Sequence, residues 1–156
     1  MRILLTLTLI LFSLPSKANN LECLVEAVYH EARSEGEVPQ IAVANVILQR
    51  VKDERYPNTV CEVVHEGKYY GDKIIRNRCQ FSYYCDGKDE KYKDSKSLLQ
   101  VLNIASLVLE GVLLEQTIGA THYHAYYVKP HWSYSDDFKN LGRVGSHIFY
   151  IDNSNK

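Results

Sequence analysis

The chain has 156 residues, 46% of them apolar and 24% charged, with a formal charge of −1 at pH 7. That length supports one domain with a modest core, and the composition excludes a disordered or fibrous chain. A near-neutral, slightly acidic balance carries no electrostatic footprint for nucleic acid.

Residues 1–18 read as a secretory signal. Arg2 gives a basic start, Ile3 to Leu14 an apolar run too short to span a bilayer, and Ser16-Lys17-Ala18 a small-x-small cleavage site. Cleavage makes Asn19 the mature terminus and, by removing Arg2 and Lys17, takes the formal charge from −1 to −3. The mature part, residues 19–156, is then an exported domain of the periplasm or cell envelope without stable membrane insertion. It is expected to be a monomer. Retention of the segment as an anchor is the alternative.

The first predicted helix covers Asn20 to Gly36, with Asn19 or Asn20 as cap and Gly36 as stop. At about 100° per residue, Leu21, Leu24, Val25, Val28 and Ala32 form one apolar stripe. Glu31 projects within roughly 20° of Leu24, on that same stripe. Glu22 and Glu26 point the other way. Burial disfavours the ionised carboxylate, so the Glu31 pKa should rise toward the range useful to a general acid. A structural ion pair with Arg33 or Arg50 is the competing reading.

Pro39 fits the first turn of a second helix that runs to about Asp53. Its stretch IAVANVILQRV is apolar on most faces, which marks a central buried helix, with Asn45 and Gln49 on its polar side. Tyr56-Pro57-Asn58 breaks the chain. Thr59 opens a short helix with a capping box to Glu62, and Gly67 closes it. Lys68 to Lys93 reads as a long irregular loop, of the kind that is usually functional. Asp94 or Ser95 caps a fourth helix from Lys96 to Leu114. Thr121 to Val128 and Gly145 to Ile151 read as strands, with an irregular link between them. The fold class is α+β, helices first and a small antiparallel sheet last.

The mature chain has four cysteines, which in an exported domain suggests disulfides, with three connectivities possible in principle. Cys79 and Cys85 flank a tight loop and pair most simply with each other, leaving Cys23 to Cys61. A zinc site is the rival, although the spacings lack CxxC pairs. Within the loop, Gln80, Phe81 and Ser82 offer an amide, a ring and a hydroxyl, the groups that bind sugars. A third group gathers His122, His124, His131 and His147 with Tyr123, Tyr126, Trp132 and Tyr150. In a strand His122 and His124 share a face, and His147 from a neighbour could complete a zinc site. No HExxH, GxSxG elbow or phosphate-binding glycine loop is present.

Four segments in order resemble a known family, the cell wall hydrolases of the spore-cortex-lytic (SleB-type) catalytic domain. They are Ala27 to Gly36 (AVYHEARSEG), then Ala42 to Val51 (AVANVILQRV), then Tyr56 to Cys61 with Cys79 to Ser82. The last runs from Gly119 through His124, Pro130 and Trp132 to Gly145 and Tyr150. Two departures stand out: Ser34 where the family usually has glycine, and Gln49 where it often has asparagine. The resemblance implies cleavage of the peptidoglycan glycan between N-acetylmuramic acid and N-acetylglucosamine, on a small lysozyme-like, resuscitation-factor-like fold. It places the catalytic glutamate at Glu31, the residue singled out by the helical stripe.

Hydrolysing glycosidases use two carboxylates. No second acid here matches a family motif as clearly as Glu31; Asp86, Asp136 and Asp137 are candidates only. A lone acid suits a lytic transglycosylase that forms a 1,6-anhydro sugar. Gln80, Ser82, His122 and Tyr123 would then position the glycan, with Phe81 and Trp132 as apolar walls and no cofactor. The alternatives are a zinc-dependent N-acetylmuramoyl-L-alanine amidase and a non-catalytic peptidoglycan-binding or inhibitor module.

Overall fold

The computed structural model describes residues 17–154, so the segment expected to be a signal lies outside the described residues except for Lys17 and Ala18. Helix α1 spans Lys17–Ala32, which puts Asn19 and Asn20 inside its first turns and not ahead of them as caps. Its apolar stripe is the predicted one: Leu24, Val25, Val28 and Ala32 are buried and Leu21 packs at the margin. Glu22 is exposed as expected, but Glu26 is half-buried and faces His65 at 3.4 Å.

Helix α2 (Glu37–Lys52) is the central one, buried at Val43, Val46 and Ile47. Three of its polar residues, Gln40, Asn45 and Arg50, are buried as well, and the first two tie down other segments. Gln40 donates to the carbonyls of Ala32 and Glu35, both at 3.2 Å, and so ties α2 to the C-terminal end of α1. Asn45 bonds both the carbonyl of Val112 (3.1 Å) and the amide of Leu114 (2.7 Å). Helix α3 (Val60–Val64) starts with the predicted cap, Thr59 Oγ1 accepting from the Glu62 amide, but stops at His65. Gly67, expected to close α3, instead begins a strand.

The segment expected to be irregular contains a hairpin, β1 (Gly67–Tyr70) against β2 (Lys73–Cys79), then a 3₁₀ turn at Ser82–Cys85. Both strands are mostly exposed, so no apolar alternation announces them. Helix α4 (Ser95–Leu109) is capped by Asp94 as predicted and ends five residues earlier than expected, before Gly111 at φ +111°. The Tyr29 phenol, buried in α1, accepts the amides of Lys93 and Asp94 at 2.8 and 2.9 Å and pins α4 to α1.

The C-terminal sheet has three antiparallel strands in the order β3-β5-β4: β3 is His122–Ala125, β4 Phe138–Val144 and β5 His147–Asp152. Strand β4 falls in the link read as irregular, where its polar residues and the register shift between Asn140 and Gly142 hide the period. Phe149 and Val144 join the core formed by α1, α2, α3 and α4. The sheet is tied to the helices at the β4–β5 turn. There Glu35 accepts from the Ser146 amide (2.8 Å) and lies 3.2 Å from His147 Nδ1. Gly145 has φ +57°, and a Cβ there would fall on Glu35 Oε2 and Pro39, so no larger residue fits. Both expected disulfides are present, Cys23–Cys61 and Cys79–Cys85, with Cα separations of 5.2 and 6.1 Å.

Candidate active site

Glu31 occupies the last turn of α1, where the stripe that buries Leu24 and Val28 turns toward the sheet. It is the meeting point of two cavities of about 490 and 360 Å³, both of which also reach Ser82. Together they form one groove with the carboxylate midway. Tyr123 on β3 donates its hydroxyl to Glu31 Oε2 at 3.0 Å. That bond leaves Oε1 as the oxygen free to face a ligand.

Burial raises the Glu31 pKa, and this outweighs the lowering by the Tyr123 hydrogen bond and by the Arg50 charge. The carbonyl end of α1 works in the same direction, since a helix C-terminus disfavours negative charge. No ion pair forms between Glu31 and Arg33 or Arg50 among the described residues; Arg50 acts through space. Arg33 is turned onto the Tyr29 ring, 5.1 Å from its centre. Arg50 is buried, donates Nε to the Thr121 carbonyl at 2.8 Å and lies over the rings of Tyr56 and Phe81. A fixed cation therefore stands behind the acid. Arg50 was legible only as an ion-pair partner; its apolar neighbours in α2 were the signal that it is buried.

The smaller cavity gathers Glu31, Arg50, Gln80, Phe81, Ser82, Tyr123, His124 and His147. Four of the predicted ligand-binding residues, Gln80, Phe81, Ser82 and Tyr123, therefore converge on the acid. Gln80 and Ser82 are exposed at its rim, and Phe81 is buried behind them. The other two do not line either cavity at Glu31. His122 and Trp132 sit on the opposite face of the sheet, in an aromatic cluster with Phe138 and Tyr150. Burial and the Arg50 charge push the His122 pKa down to about 4, so this ring is neutral near pH 7.

The register also separates the proposed zinc ligands. His122 and His124 pair with Tyr150 and Ile148, whereas His147 pairs with Ala125 and so shares the Tyr123 face. Among the described residues no three histidine, cysteine or acidic side chains are grouped to hold a metal. His147 instead packs its ring edge against Tyr123, centroids 5.0 Å apart. It was grouped with the wrong face because strand parity between β3 and β5 cannot be read without the register.

The larger cavity differs in kind. It is lined by His30, Tyr83, Asp86, Lys88, Glu90 and Lys93, among others. His30 stacks on Tyr83, whose buried hydroxyl has no partner. Of the three further carboxylates, only Asp86 lines it. Both its oxygens are engaged by Lys88, through the amide at 2.8 Å and Nζ at 3.2 Å. Asp136 and Asp137 line neither cavity, and Asp137 is bound by Ser135.

A family model described as Cell Wall Hydrolase matches residues 34–150, an interval that begins just past Glu31. The spore cortex-lytic enzyme of Halalkalibacterium halodurans is 31% identical over 136 residues, 84% of this chain and 34% of that protein. That of Bacillus cereus is 42% identical over 52 residues, 33% of this chain and 20% of that protein. The chain thus spans a fifth to a third of the length of these relatives. Among solved structures, the catalytic domain of the germination-specific lytic transglycosylase SleB from Bacillus anthracis superposes with a TM-score of 0.62 at 26% identity. That match covers 88% of this chain and 99% of the solved one.

Proposed function

The chain belongs to the cell wall hydrolase family, and from that membership we propose that it cuts peptidoglycan glycan strands between N-acetylmuramic acid and N-acetylglucosamine as a lytic transglycosylase. The observation that carries this reading is Glu31 itself: a desolvated carboxyl group of raised pKa, midway along an open groove, with one oxygen held by Tyr123. With burial favouring its neutral form, it gives its proton to the bridging oxygen as the C1–O bond breaks. The carboxylate left behind takes the proton of the muramoyl C6 hydroxyl while that oxygen bonds to C1. One bond breaks, one forms, the proton returns to Glu31 and no water is consumed. The product is a 1,6-anhydro sugar.

The supporting residues follow from the geometry. Tyr123 stabilises the carboxylate after proton release, and Arg50 does the same from behind Phe81. Gln80 and Ser82 offer hydrogen bonds at the rim. A hydrolase needs a second free carboxylate. Of the other acids lining the larger cavity, Asp86 is held by Lys88 and Asp89 by Lys91, whereas Glu90 keeps a buried Oε2 without a partner and is the carboxylate a hydrolytic route would use. Export through residues 1–18 would bring the domain to its substrate in the cell envelope. No helix among the described residues is long and apolar enough to cross a membrane.

Mass analysis of the soluble products from purified sacculi tests the proposal. Anhydro-muropeptides, one water lighter than hydrolysis products, are expected. Reducing-end muramic acid alone would overturn the transglycosylase route, and free peptides lacking sugar would point to amidase chemistry.

A further inference from the structure

The β1–β2 hairpin is the part of the molecule that the groove does not explain. It is exposed on nearly every position of both strands, with Tyr69 51% and Tyr70 84% exposed. An isolated two-stranded ribbon is marginal in water, yet this one is held out from the body by several ties. The Gln80 amide bonds the Glu66 carbonyl at 2.9 Å across its base, and Cys79 is bridged to Cys85. Arg76 Nε donates to the Asp86 carbonyl at 3.0 Å, which joins the hairpin to the rim of the larger cavity.

Its charge is opposite to that of the rest. Residues 67–79 carry Lys68, Lys73, Arg76 and Arg78 against Asp72 alone, a local charge of +3 in a chain of −1, leaving −4 elsewhere. Segregated charge of this kind is a recognition feature, since it concentrates an oppositely charged partner at one place. The rim does not share this excess: its Arg33, Lys88, Lys91 and Lys93 are matched in number by Glu31, Asp86, Asp89 and Glu90, so the positive charge is particular to the hairpin.

We infer that the hairpin is a docking surface for the acidic stem peptides of peptidoglycan, which leave the glycan strand and cross Lys68, Lys73 and Arg78 while the sugars lie at Glu31. The inference rests on the proposed substrate. Charge complementarity selects the carboxylate-bearing peptide over the uncharged sugars, and continuity with the cavity rim selects a partner already in the groove over an unrelated polyanion.

The test uses the full chain carrying Glu31→Gln, so that binding is read without turnover. It should sediment with purified sacculi, and adding K68S/K73S/R78S should weaken this about tenfold at low salt, with the difference shrinking as salt screens the charges. The conservative pair K68R/K73R should bind as the parent does. On sacculi stripped of their peptides the parent should bind as weakly as the triple variant. With Glu31 intact, the triple variant should still cleave short peptide-free glycans at the parental rate. Unchanged sedimentation of the triple variant would overturn the inference. So would equal parental binding to stripped sacculi or to anionic lipid vesicles, or loss of short-glycan cleavage, which would make the hairpin a structural support. Hairpin-dependent binding to sacculi by a chain that releases no sugar product would instead sink the proposed activity and leave the docking surface standing.

Discussion

The two halves of the groove meet at the same carboxylate but are built differently. The half toward the sheet is made from regular elements: Arg50 from α2, Tyr123 and His147 from β3 and β5, each anchored by a hydrogen bond or ring contact. The half toward the Asp86–Lys93 loop is walled by charged side chains, several exposed and paired only with a neighbour in sequence. Under the proposed function, fixed dipoles and charges suit the half that would steady the reacting proton, because they need no reorganisation when charge moves. Solvated charges are adjustable and suit a half that receives variable parts of a polymer. The difference predicts that substitutions near the sheet change the chemistry, while those near the loop change binding at most.

The largest effect is expected at the junction. Glu31→Gln should keep the fold and lower muropeptide release at least about a thousandfold; retained activity would end the assignment. Next comes Tyr123→Phe, with a loss of about tenfold, roughly the worth of one hydrogen bond to a charged group. Its diagnostic is pH dependence. The Tyr123 bond lowers the Glu31 pKa, so its removal raises that pKa further and moves the alkaline limb of the rate profile to higher pH. A limb that stays put or moves down would show that Tyr123 does not set the acid.

Smaller effects distinguish the walls. Opening Cys79–Cys85 by paired serines should cost about 2 kcal/mol, against about 4 kcal/mol for Cys23–Cys61, from loop closure over separations of 6 and 38 residues. Thermal melts of the two variants check that order, and the first should raise KM more than it lowers kcat because it frees Gln80 and Ser82. Smaller again is a stability effect of Glu31. Its folded pKa is raised, so its contribution is favourable below about pH 4.5 and is lost as pH rises through the folded value. Glu31→Gln should therefore melt slightly above the parent at pH 8, with the gap closing in acid. Lys88→Ala, on the loop side, should change stability by less than about 0.5 kcal/mol and kcat not at all. A large kcat effect there would erase the contrast between the halves.

How much of this was legible depended on whether burial left a period in the sequence. The α1 stripe marked Glu31 because a buried face repeats with the helical turn, and Thr59 and Asp94 announced their helices because a cap is local chemistry. The disulfide pairing could be read from loop length alone. Strands β1 and β2 left no alternation because neither face is buried, and β4 was hidden by its register shift and polar residues. His122 and Trp132 were placed beside Glu31 because adjacent positions 122 and 123 were not yet resolved onto opposite faces of one strand. Burial of Asn45 and Arg50 depends on carbonyls far away in sequence, which no local pattern reveals.

The Gly145 turn has a consequence for how such a sequence can vary. Its backbone lies so close to Glu35 and Pro39 that the three positions share one small volume between the end of α1, the start of α2 and the β4–β5 turn. Natural drift at any one of them is therefore hostage to the other two. A lineage that enlarged position 145 would have to trim both 35 and 39 and still hold a side chain at φ +57°, and in doing so would give up the Glu35 tie to the Ser146 amide that joins the sheet to the helices.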